Sequence, residues 1–334
     1  MSPAGGVRLE YLQAAGPPDA RPATLGLAVY GTHPDLKGSG EGAQVPQVAV
    51  HMRVLGAPEP LLERWVAAGA VRYGHCGAVR MAHTETLLFG ALQAEERAAS
   101  AQRSGLEAAT EWAYRQIHAA LEASGYAHLV RVWNYLPRIN IATHGLERYR
   151  QFNIARARAL IACGRRVSGN VPAASALGCA DGPLVIYFLA ARAAPRFIEN
   201  PRQMSAYHYP PEYGERAPSF SRATLLERPA GGTALFISGT SSIVGHRTLH
   251  AGDPAAQTRE TLTNIEALLA AAGRFSLGSL AYKVYVRDAQ DLPVVRRELD
   301  AVLGPHAARV YLQADVCRAD LAVEIEAAGG CDGS

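Results

Sequence analysis

The order of apolar and polar positions along the chain repeats once. In the first copy, LLFG at residues 87–90 predicts a short strand and residues 93–124 a helix that ends at Gly125. HLVRVWNYL then predicts a strand and residues 145–160 a second helix. PAASALG and PLVIYFLAARA flank the turn Ala180-Asp181-Gly182, which predicts a closing pair of strands.

The second copy has the same order of elements. ALFISG predicts a strand, Pro254–Ala272 a helix, LAYKVYVR a strand and Leu292–Leu303 a helix, before the closing strands ARVYLQA and LAVEIEA. Each copy therefore predicts an α+β unit in which two helices cover one face of a mixed sheet. Because the other face of each sheet needs a partner, we expect the two units to pack as a pseudo-oligomer within one chain.

Two further segments complete the predicted organisation. Residues 5–55, with strand-like TLGLAVYG and VPQVAVHMRVL, are expected to add strands to the first unit. Residues 195–218 are rich in proline and tyrosine, and such a long irregular connection is often functional. We therefore predict an N-terminal domain at residues 1–205 and a C-terminal domain at residues 206–334.

The predicted helix at residues 145–160 carries an arginine on its apolar face. At about 100° per residue, Tyr149, Phe152, Asn153 and Arg156 point roughly the same way. A guanidinium facing the core suits a substrate carboxylate. Arg148 lies about 80° round the same helix and is within reach of the edge of the same pocket. The alternative for either arginine is a structural ion pair with an acid of the neighbouring unit.

Composition excludes several classes of function. The 334 residues are 49% hydrophobic and 19% charged, which is typical of a globular protein of about two domains. A net charge of +3 is too mild and too scattered for a nucleic-acid or membrane surface, but it leaves small anionic substrates open. There is no apolar run of about 20 residues and no signal-peptide pattern, so we expect a cytoplasmic protein.

The cysteines and histidines predict a site without metal. Five cysteines form no C-x-x-C pair, and the eleven histidines include no H-E-x-x-H. Neither a disulfide framework nor a zinc site is therefore indicated.

The second unit resembles the reactive-intermediate deaminase (YjgF-like) family. The likeness runs from SFSRA through FISGTSSIVG to RVYLQADVCRADLAVEIEA. It implies that an arginine and a glutamate, fifteen residues apart on adjacent closing strands, line a ligand site. The matching positions are Arg309 and Glu324.

The whole chain is more similar to the chorismatase family, which fuses such units. The likeness spans residues 87–327 and rests on RVWNYLPRIN, GLERYRQFN, SAYHYPPEYGERAPSFSRA, SGTSSIVGH and ADVCRADLAVEIE. It implies cleavage of chorismate to pyruvate and a ring product without metal or organic cofactor. Small deaminase-like proteins bury their sites between subunits of a trimer, whereas we expect this chain to use its own two units as a monomer.

Glu324 is the candidate acid for this chemistry. Chorismate carries two carboxylates and an enol ether, so it needs two cationic clamps and a group that protonates the methylene carbon. In LAVEIEA, Val323 and Ile325 share one face while Glu324 and Glu326 share the other, and a carboxyl among apolar strands stays protonated near neutral pH. The alternative places both glutamates in solvent on an edge strand. The resemblance favours Glu324 and leaves Glu326 solvated or structural.

The connector supplies further candidates for binding. Arg216 and Arg222 lie among tyrosines, which indicates a binding surface, although solvated loop charges are the alternative. The resemblance favours Arg222, which falls where the deaminase-like family has its N-terminal ligand-lining segment. Tyr207 and Tyr209 are candidates for a hydroxyl and a ring wall, with simple packing as the alternative.

Two positions bear on the product. The resemblance implies that 3-hydroxybenzoate is formed when a cysteine lies seven residues before the glutamate, as Cys317 does; the alternative is a small buried hydrophobe. A second product-determining small residue is expected between Gly239 and Ser242. Ser241 and Ser242 differ from the expected alanine or glycine. They therefore leave open a hydrolytic product, 3,4-dihydroxycyclohexa-1,5-dienoate, and a branch that makes both 3- and 4-hydroxybenzoate.

Two other classes of function compete with this prediction. One is an imine deaminase in which Arg309 holds the carboxylate and water is the nucleophile, but Phe220 replaces the tyrosine expected there and such proteins are single units. The other is a non-catalytic binder of aromatic or keto acids on the same fold. Replacing Glu324 by glutamine separates catalysis from binding.

Overall fold

The computed structural model describes residues 7–13, 24–34, 44–97, 103–227, 231–273 and 275–331. The N-terminal stretch searched for a signal peptide therefore lies largely outside the described residues. The helices are α1 (Gly105–Ser124), α2 (Arg148–Ala162), α3 (Pro254–Ala272) and α4 (Leu292–Leu303). The strands are β1 (Val7–Gln13), β2 (Thr24–Gly31), β3 (Gln47–His51), β4 (Leu61–Ala67), β5 (Arg72–Cys76), β6 (Val79–His83), β7 (Leu87–Ala94), β8 (His128–Pro137), β9 (Ala142–Thr143), β10 (Leu146–Glu147), β11 (Ala173–Cys179), β12 (Leu184–Ala191), β13 (Arg196–Ile198), β14 (Ala223–Glu227), β15 (Thr233–Ser241), β16 (Ile243–Val244), β17 (Arg247–Thr248), β18 (Leu280–Val286), β19 (Arg309–Gln313) and β20 (Val323–Cys331).

The internal repeat is confirmed in three dimensions. The first unit has the strand order β6-β7-β12-β8-β11, with β5 added beyond β6, and the second has the order β14-β15-β20-β18-β19, with β13 added beyond β14. In both units one pair is parallel, β8 with β11 and β18 with β19. Apolar side chains of α1 and α2 pack on one face of the first sheet, and those of α3 and α4 on one face of the second. The predicted α+β fold class is therefore correct.

The predicted helices differ from the observed ones mainly at their starts. The bounds of α3 and α4 are as predicted, whereas α1 begins at Gly105 because the strand before it continues to Ala94. Ser104 caps α1 by accepting from the backbone N–H of Glu107 at 3.1 Å, and the Glu107 carboxylate accepts from the Ser104 N–H in return. Gly125 ends the helix with φ of 73°. These local signals place α1 entirely after the strand.

The closing strands of each unit are not paired with one another, which corrects the sequence prediction. β8 lies between β11 and β12, and β18 lies between β19 and β20. The apolar pattern indicates which face of a strand is buried, but it carries no information on which strand lies alongside. Arg309 is therefore opposite Tyr282 of β18 and two strands away from Glu324.

The N-terminal strands form a sheet of their own rather than extending the first unit. Its order is β1-β4-β2-β3, with β2 parallel to β3 and antiparallel to β4. The predicted segment at residues 5–55 contributes β1, β2 and β3, while residues 5–6, 14–23 and 35–43 lie outside the described residues. The expectation that this segment extends the first unit is wrong.

Three sheets thus share one core. Trp65 of the N-terminal sheet lies 5.3 Å from Trp133 of the first unit and 6.1 Å from Phe236 of the second, between ring centroids. Buried apolar side chains from all three sheets surround this contact. The faces left bare by the helices are therefore covered within the chain, with a third sheet that the sequence did not indicate.

The connector after the first unit joins the second sheet at once. β13 pairs with β14, and the irregular chain that follows contains two short 3-10 turns, Ala206–His208 and Pro211–Tyr213. The predicted domain boundary between residues 205 and 206 stays a prediction. The strand β13 lies before that boundary in the sequence but pairs with the sheet of the second unit.

Within the described ranges, no helix has the length and apolar character needed to cross a membrane.

Candidate active site

A cavity of about 310 Å³ lies where the two units meet. Its walls come from α2, from the edge strand β11, from the connector, from β15 and β20, and from the loop before β20. The predicted site residues Glu324, Cys317, Arg156, Arg222 and Gly239 all line it. The structure thus brings together five positions that are spread over more than half of the sequence.

Glu324 lies on β20, in the middle of the second sheet, and is only 5% exposed. The edge-strand alternative is therefore wrong. Ser241 Oγ donates to Glu324 Oε2 at 3.4 Å. Burial, together with the negative charge of Glu326, raises the pKa of Glu324 to about 8. A carboxyl with this pKa is protonated at neutral pH, as a proton donor requires.

Gly239 leaves the space that the Glu324 carboxyl occupies. A Cβ built at Gly239 would overlap Glu324 Oε1, so any side chain there displaces the acid. The pairing of β15 with β20 shifts register between Ile237 and Thr240, which places Gly239 in a bulge. Ser175 Oγ accepts from the Gly239 N–H at 3.2 Å and fixes this backbone. The absence of a side chain is thus a geometric requirement of the site.

Glu326 lies on the same face but belongs to a buried ionic network. Its carboxylate is 2.8 Å from Lys283 Nζ and 2.6 Å from Arg131 Nη2, and it accepts from Trp133 Nε1 at 2.8 Å. Although burial opposes ionisation, Lys283 and Arg131 hold the pKa of Glu326 below its ordinary value. Of the two roles predicted for Glu326, solvated or structural, the structural one is correct. Glu326 also supplies a fixed negative charge beside Glu324.

Cys317 presents its thiol to the cavity from the loop before β20. Burial, with the Glu324 carboxyl beside it, raises the pKa of the Cys317 thiol to about 12. Tyr149 of α2 lines the same wall, and burial raises the pKa of its hydroxyl as well. Both groups therefore stay protonated at neutral pH.

Arg156 is buried at the cavity wall and carries an unpaired nitrogen. It is 3% exposed, its Nη2 donates to Asn153 Oδ1 at 2.9 Å, and its guanidinium lies 5.0 Å from the Phe152 ring centroid. Nε has no hydrogen-bond partner, and no carboxylate in the described part of the chain pairs with Arg156. The structural ion pair considered as an alternative is absent, so this cation is available to an anionic ligand.

Arg222 also lines the cavity and is held in place by the connector. Its Nη2 donates to Met204 O at 2.7 Å and to Tyr209 Oη at 2.8 Å, and its guanidinium lies 5.1 Å from the Phe220 ring centroid. Its Nε has no hydrogen-bond partner in the described ranges. The contacts fix the fork of the guanidinium without neutralising its charge, which suits a carboxylate ligand.

Arg150 and Arg318 also line the cavity, and the sequence pattern indicated neither of them; Arg318 is the one beside Cys317. Its guanidinium lies 4.0 Å from the Tyr213 ring centroid and 5.1 Å from that of Tyr209. Nη1 donates to His246 O at 2.8 Å, whereas Nη2 has no partner. In the sequence, only its position next to Cys317 indicates that Arg318 belongs to the site. The contact of Arg318 with the tyrosines of the connector is visible only in the folded loop.

Four predicted binding residues lie elsewhere and do not line the cavity. Arg148 pairs with Glu96 and donates to Pro137 O at 2.8 Å, so it is in a structural ion pair, but with an acid of its own unit rather than of the neighbouring one. Arg309 pairs with Asp300 near the end of α4. Arg216 is exposed, and Tyr207 contacts His208 edge to face at 4.7 Å. Arg318 and the rings of Tyr209 and Tyr213 line the cavity instead of these four residues.

Two family models match the chain. Residues 63–190 match the model described as chorismatase FkbO/Hyg5-like, N-terminal, and residues 217–329 match endoribonuclease L-PSP. The chain is 38% identical over 295 residues to a 3-hydroxybenzoate synthase of Streptomyces hygroscopicus, which covers 84% of each protein. The protein belongs to the chorismatase family. A chorismatase of the same organism is 38% identical over 94% of this chain and 92% of its own length.

The chorismatase fold is also confirmed by a solved structure. A crystal structure of a chorismatase superposes with a TM-score of 0.86 at 34% identity, over 97% of this chain and 98% of that chain. The pairing of an N-terminal chorismatase unit with a unit of the L-PSP type accounts for the repeat in strand order. The predicted fusion of two related units is therefore confirmed.

Proposed function

We propose that this protein cleaves chorismate to pyruvate and 3-hydroxybenzoate. The observation that carries the proposal is the buried Glu324 carboxyl, whose raised pKa keeps it protonated in a cavity walled by arginines. Relatives named 3-hydroxybenzoate synthase and chorismatase support the substrate and the reaction. The two products together contain the atoms of chorismate, so the reaction needs no co-reactant.

Glu324 acts as the general acid in this proposal. Its proton passes to the methylene carbon of the enolpyruvyl group, which leaves an oxocarbenium ion on the side chain. The carboxylate that forms lies within the field of Arg131 and Arg222, both of which favour the charged state. The ring hydroxyl oxygen then bonds to the neighbouring ring carbon that carries the ether, the bond from that carbon to the ether oxygen breaks and pyruvate leaves, and the hydroxyl proton returns to Glu324. The epoxide so formed opens at its other carbon, and the proton lost from the ring carbon passes to the oxygen as the ring becomes aromatic.

Arg156 and Arg222 hold the two carboxylates of the substrate. Each is buried, each has an unpaired Nε, and neither is neutralised by a carboxylate among the described residues. Arg318 adds a further positive charge on the connector side. Because Glu324 is uncharged when the substrate arrives, the wall attracts the dianion instead of repelling it.

Cys317 selects the product because its protonated thiol occupies the space next to Glu324. A thiol with a pKa of about 12 is neither a base nor a nucleophile at neutral pH, so its contribution is shape and the exclusion of water. When water is excluded from the oxocarbenium ion, the ring hydroxyl is the group left to react. A chorismate hydrolase would instead admit water and release the dihydroxycyclohexadienoate.

We also infer a cytoplasmic monomer. The three sheets cover each other's bare faces within one chain, which leaves no need for the trimer of small deaminase-like proteins. Cys76, Cys163, Cys179 and Cys317 are free thiols, which suits a reducing compartment. Light scattering at working concentration tests the oligomeric state: a mass of three chains would contradict the monomer.

The proposal is tested by incubating the protein with chorismate and separating the products by chromatography. We expect pyruvate and 3-hydroxybenzoate in equal amounts. Glu324→Gln removes the proton donor and lowers the rate by about 10²–10⁴-fold. Glu122→Gln, which changes an exposed carboxylate on α1, is the matched control and keeps full activity.

Replacing the thiol tests the choice of product separately. Cys317→Ala opens space for water and is expected to divert part of the flux to dihydroxycyclohexadienoate, while Cys163→Ala outside the cavity leaves the product unchanged. Intact chorismate with the wild-type protein rejects the proposal. Turnover of 2-imino acids by that protein would instead assign the deaminase function.

A further inference from the structure

A second cavity of about 450 Å³ lies beside the active site and has no role in the proposed reaction. It runs between α1, α2 and the edge strand β11, and it ends against residues 194–197. Arg156 and Ala174 line both cavities, so a single layer of side chains separates them. Exposed Arg166 and Asn170, in the loop after α2, stand at its outer end.

The charged residues of this wall all have the same sign. Arg156, Arg165 and Arg166 line the second cavity, together with two histidines, and no aspartate or glutamate is among its described lining residues. No carboxylate of the described chain pairs with Arg165, and its Nε is buried without a partner. The lining of the first cavity, by contrast, includes the carboxyl groups of Glu147, Glu212 and Glu324. The second cavity is therefore built for an anion.

His118 supplies an unpartnered polar group within the wall. It lies on α1, is 5% exposed, and neither of its ring nitrogens has a hydrogen-bond partner among the described residues. Buried polar atoms in native proteins are nearly always paired, so two unpaired nitrogens at a cavity indicate a missing partner. Burial and the charge of Arg165 lower the pKa of His118 to about 4. The neutral ring offers one donor and one acceptor, which suits a hydroxyl.

Much of the remaining wall is apolar. Its side chains include Leu121, Val132, Leu160 and Phe197. Such a surface accepts the faces of a ring, whereas a small keto acid would leave most of it uncovered. The wall of the second cavity thus fits a molecule that combines a ring, a carboxylate and a hydroxyl.

We propose that the second cavity binds an aromatic monocarboxylate that carries a hydroxyl, with Arg165 on the carboxylate and His118 on the hydroxyl. The reaction's own hydroxybenzoate product belongs to this class, an identification that rests on the proposed function. Since Arg156 borders both cavities, an occupant of the second cavity disturbs the clamp on the substrate. Product bound there inhibits without excluding the substrate.

Direct binding is tested by NMR on protein with labelled histidines. Addition of 3-hydroxybenzoate is expected to shift the ring resonances of His118, while 3-hydroxybenzyl alcohol, which lacks the carboxylate, leaves them in place. Arg165→Gln weakens the response at least about tenfold because it removes the charged partner. Arg158→Gln is the matched control, since this exposed arginine of α2 pairs with Glu107 at 3.1 Å and lies outside the cavity. An unmoved His118 signal at saturating 3-hydroxybenzoate overturns the proposal.

Inhibition kinetics test the consequence for turnover. 3-Hydroxybenzoate is expected to lower the apparent kcat for chorismate as well as to raise KM in the wild-type protein. In Arg165→Gln the effect on kcat disappears and the competitive component remains, while kcat and KM without added product stay unchanged. An undiminished effect on kcat in this variant contradicts the proposal. If chorismate is not cleaved at all but the His118 signals respond, the binding site stands and only the proposed function fails.

Discussion

Glu324 and Glu326 lie on the same face of β20, but of the two only Glu326 forms ion pairs with cations. Lys283 Nζ lies 2.8 Å and Arg131 Nη2 2.6 Å from the Glu326 carboxylate, whereas Glu324 receives one hydrogen bond of 3.4 Å from Ser241. The pKa of Glu326 is held low and that of Glu324 is raised to about 8. Two chemically identical groups, two residues apart, therefore have opposite protonation states at neutral pH.

This relationship predicts the pH dependence of turnover. The reaction needs the protonated form of Glu324, so kcat/KM falls as pH rises through about 8. Glu326→Gln removes the like charge and leaves Lys283 and Arg131 beside Glu324. The loss of the negative charge and the cations that remain both favour the ionised form of Glu324, so its pKa falls. The basic limb of the pH profile is therefore expected to move down by about one pH unit or more. The measurement is the pH profile of kcat/KM for the wild type and the variant.

The direction of that shift separates an electrostatic role from a structural one. A variant that merely loosens the fold loses activity equally at all pH values. An upward shift, or an unmoved limb, contradicts the proposed influence of Glu326. Unfolding in urea, run alongside, shows that the variant is folded in the range where it is assayed.

Gly239 predicts a loss of activity without a comparable loss of stability. In Gly239→Ala the new methyl group occupies the place of Glu324 Oε1, and the acid must turn away from the substrate. A misplacement of about 1 Å costs about a hundredfold in rate, so we expect at least that loss in kcat. Gly74→Ala, on β5 with open space at its Cβ, is the matched control. Full activity in Gly239→Ala would show that the carboxyl has another productive position.

The sequence predicts the local elements well because the signals for them are local. The bounds of α3 and α4 follow from apolar periodicity and from the residues at their ends, and the face of Glu324 follows from alternation. The pattern does not predict strand neighbours, so it could not correct the resemblance to the deaminase-like family, which implied that Arg309 and Glu324 lie on adjacent strands. Spacing along the chain cannot show that β18 intervenes.

The missed parts of the site and core depend on contacts between distant segments. Arg318 faces Tyr209 and Tyr213 only after a loop of the second unit packs against the connector. Lys283 and Glu63 are separated by more than two hundred residues, and nothing near either one in the sequence indicates the other. Such partners are set by the packing of three sheets, which a pattern of one chain segment does not contain.

Lys283 predicts where the fold is most sensitive to a change of charge. Its ammonium group contacts both Glu63 and Glu326 and also donates to the hydroxyls of Tyr30 and Tyr187 at 2.9 and 3.0 Å. Lys283→Met leaves two buried carboxylates without this cation. Breaking a buried pair in this way costs about 3–5 kcal/mol, so the urea midpoint should fall markedly.

The control for Lys283→Met is a single substitution that breaks another ion pair but leaves no fully buried carboxylate without a cation. Arg259→Gln breaks a contact of 2.8 Å between the exposed side chain of Arg259 and the half-buried Glu298, which keeps Arg297 at 2.9 Å, and it should cost less than about 1 kcal/mol. Equal losses in the two variants would mean that the network at Lys283 is not more important to stability than a surface pair.

Arg222 and Arg309 predict opposite outcomes for the same substitution. Arg222 lines the cavity with an unpaired Nε, so Arg222→Gln removes a charged partner of the substrate. The loss of such a hydrogen bond is about 1.5–3 kcal/mol, which corresponds to a rise in KM of about tenfold to a hundredfold. Arg309 pairs with Asp300, two strands from Glu324, and Arg309→Gln should leave kcat and KM within about twofold of wild type because it makes no substrate contact. Steady-state kinetics on both variants decide between the resemblance and the structure: a raised KM in Arg309→Gln would restore the deaminase-like site, whereas a raised KM in Arg222→Gln alone places the clamp in the cavity beside the acid.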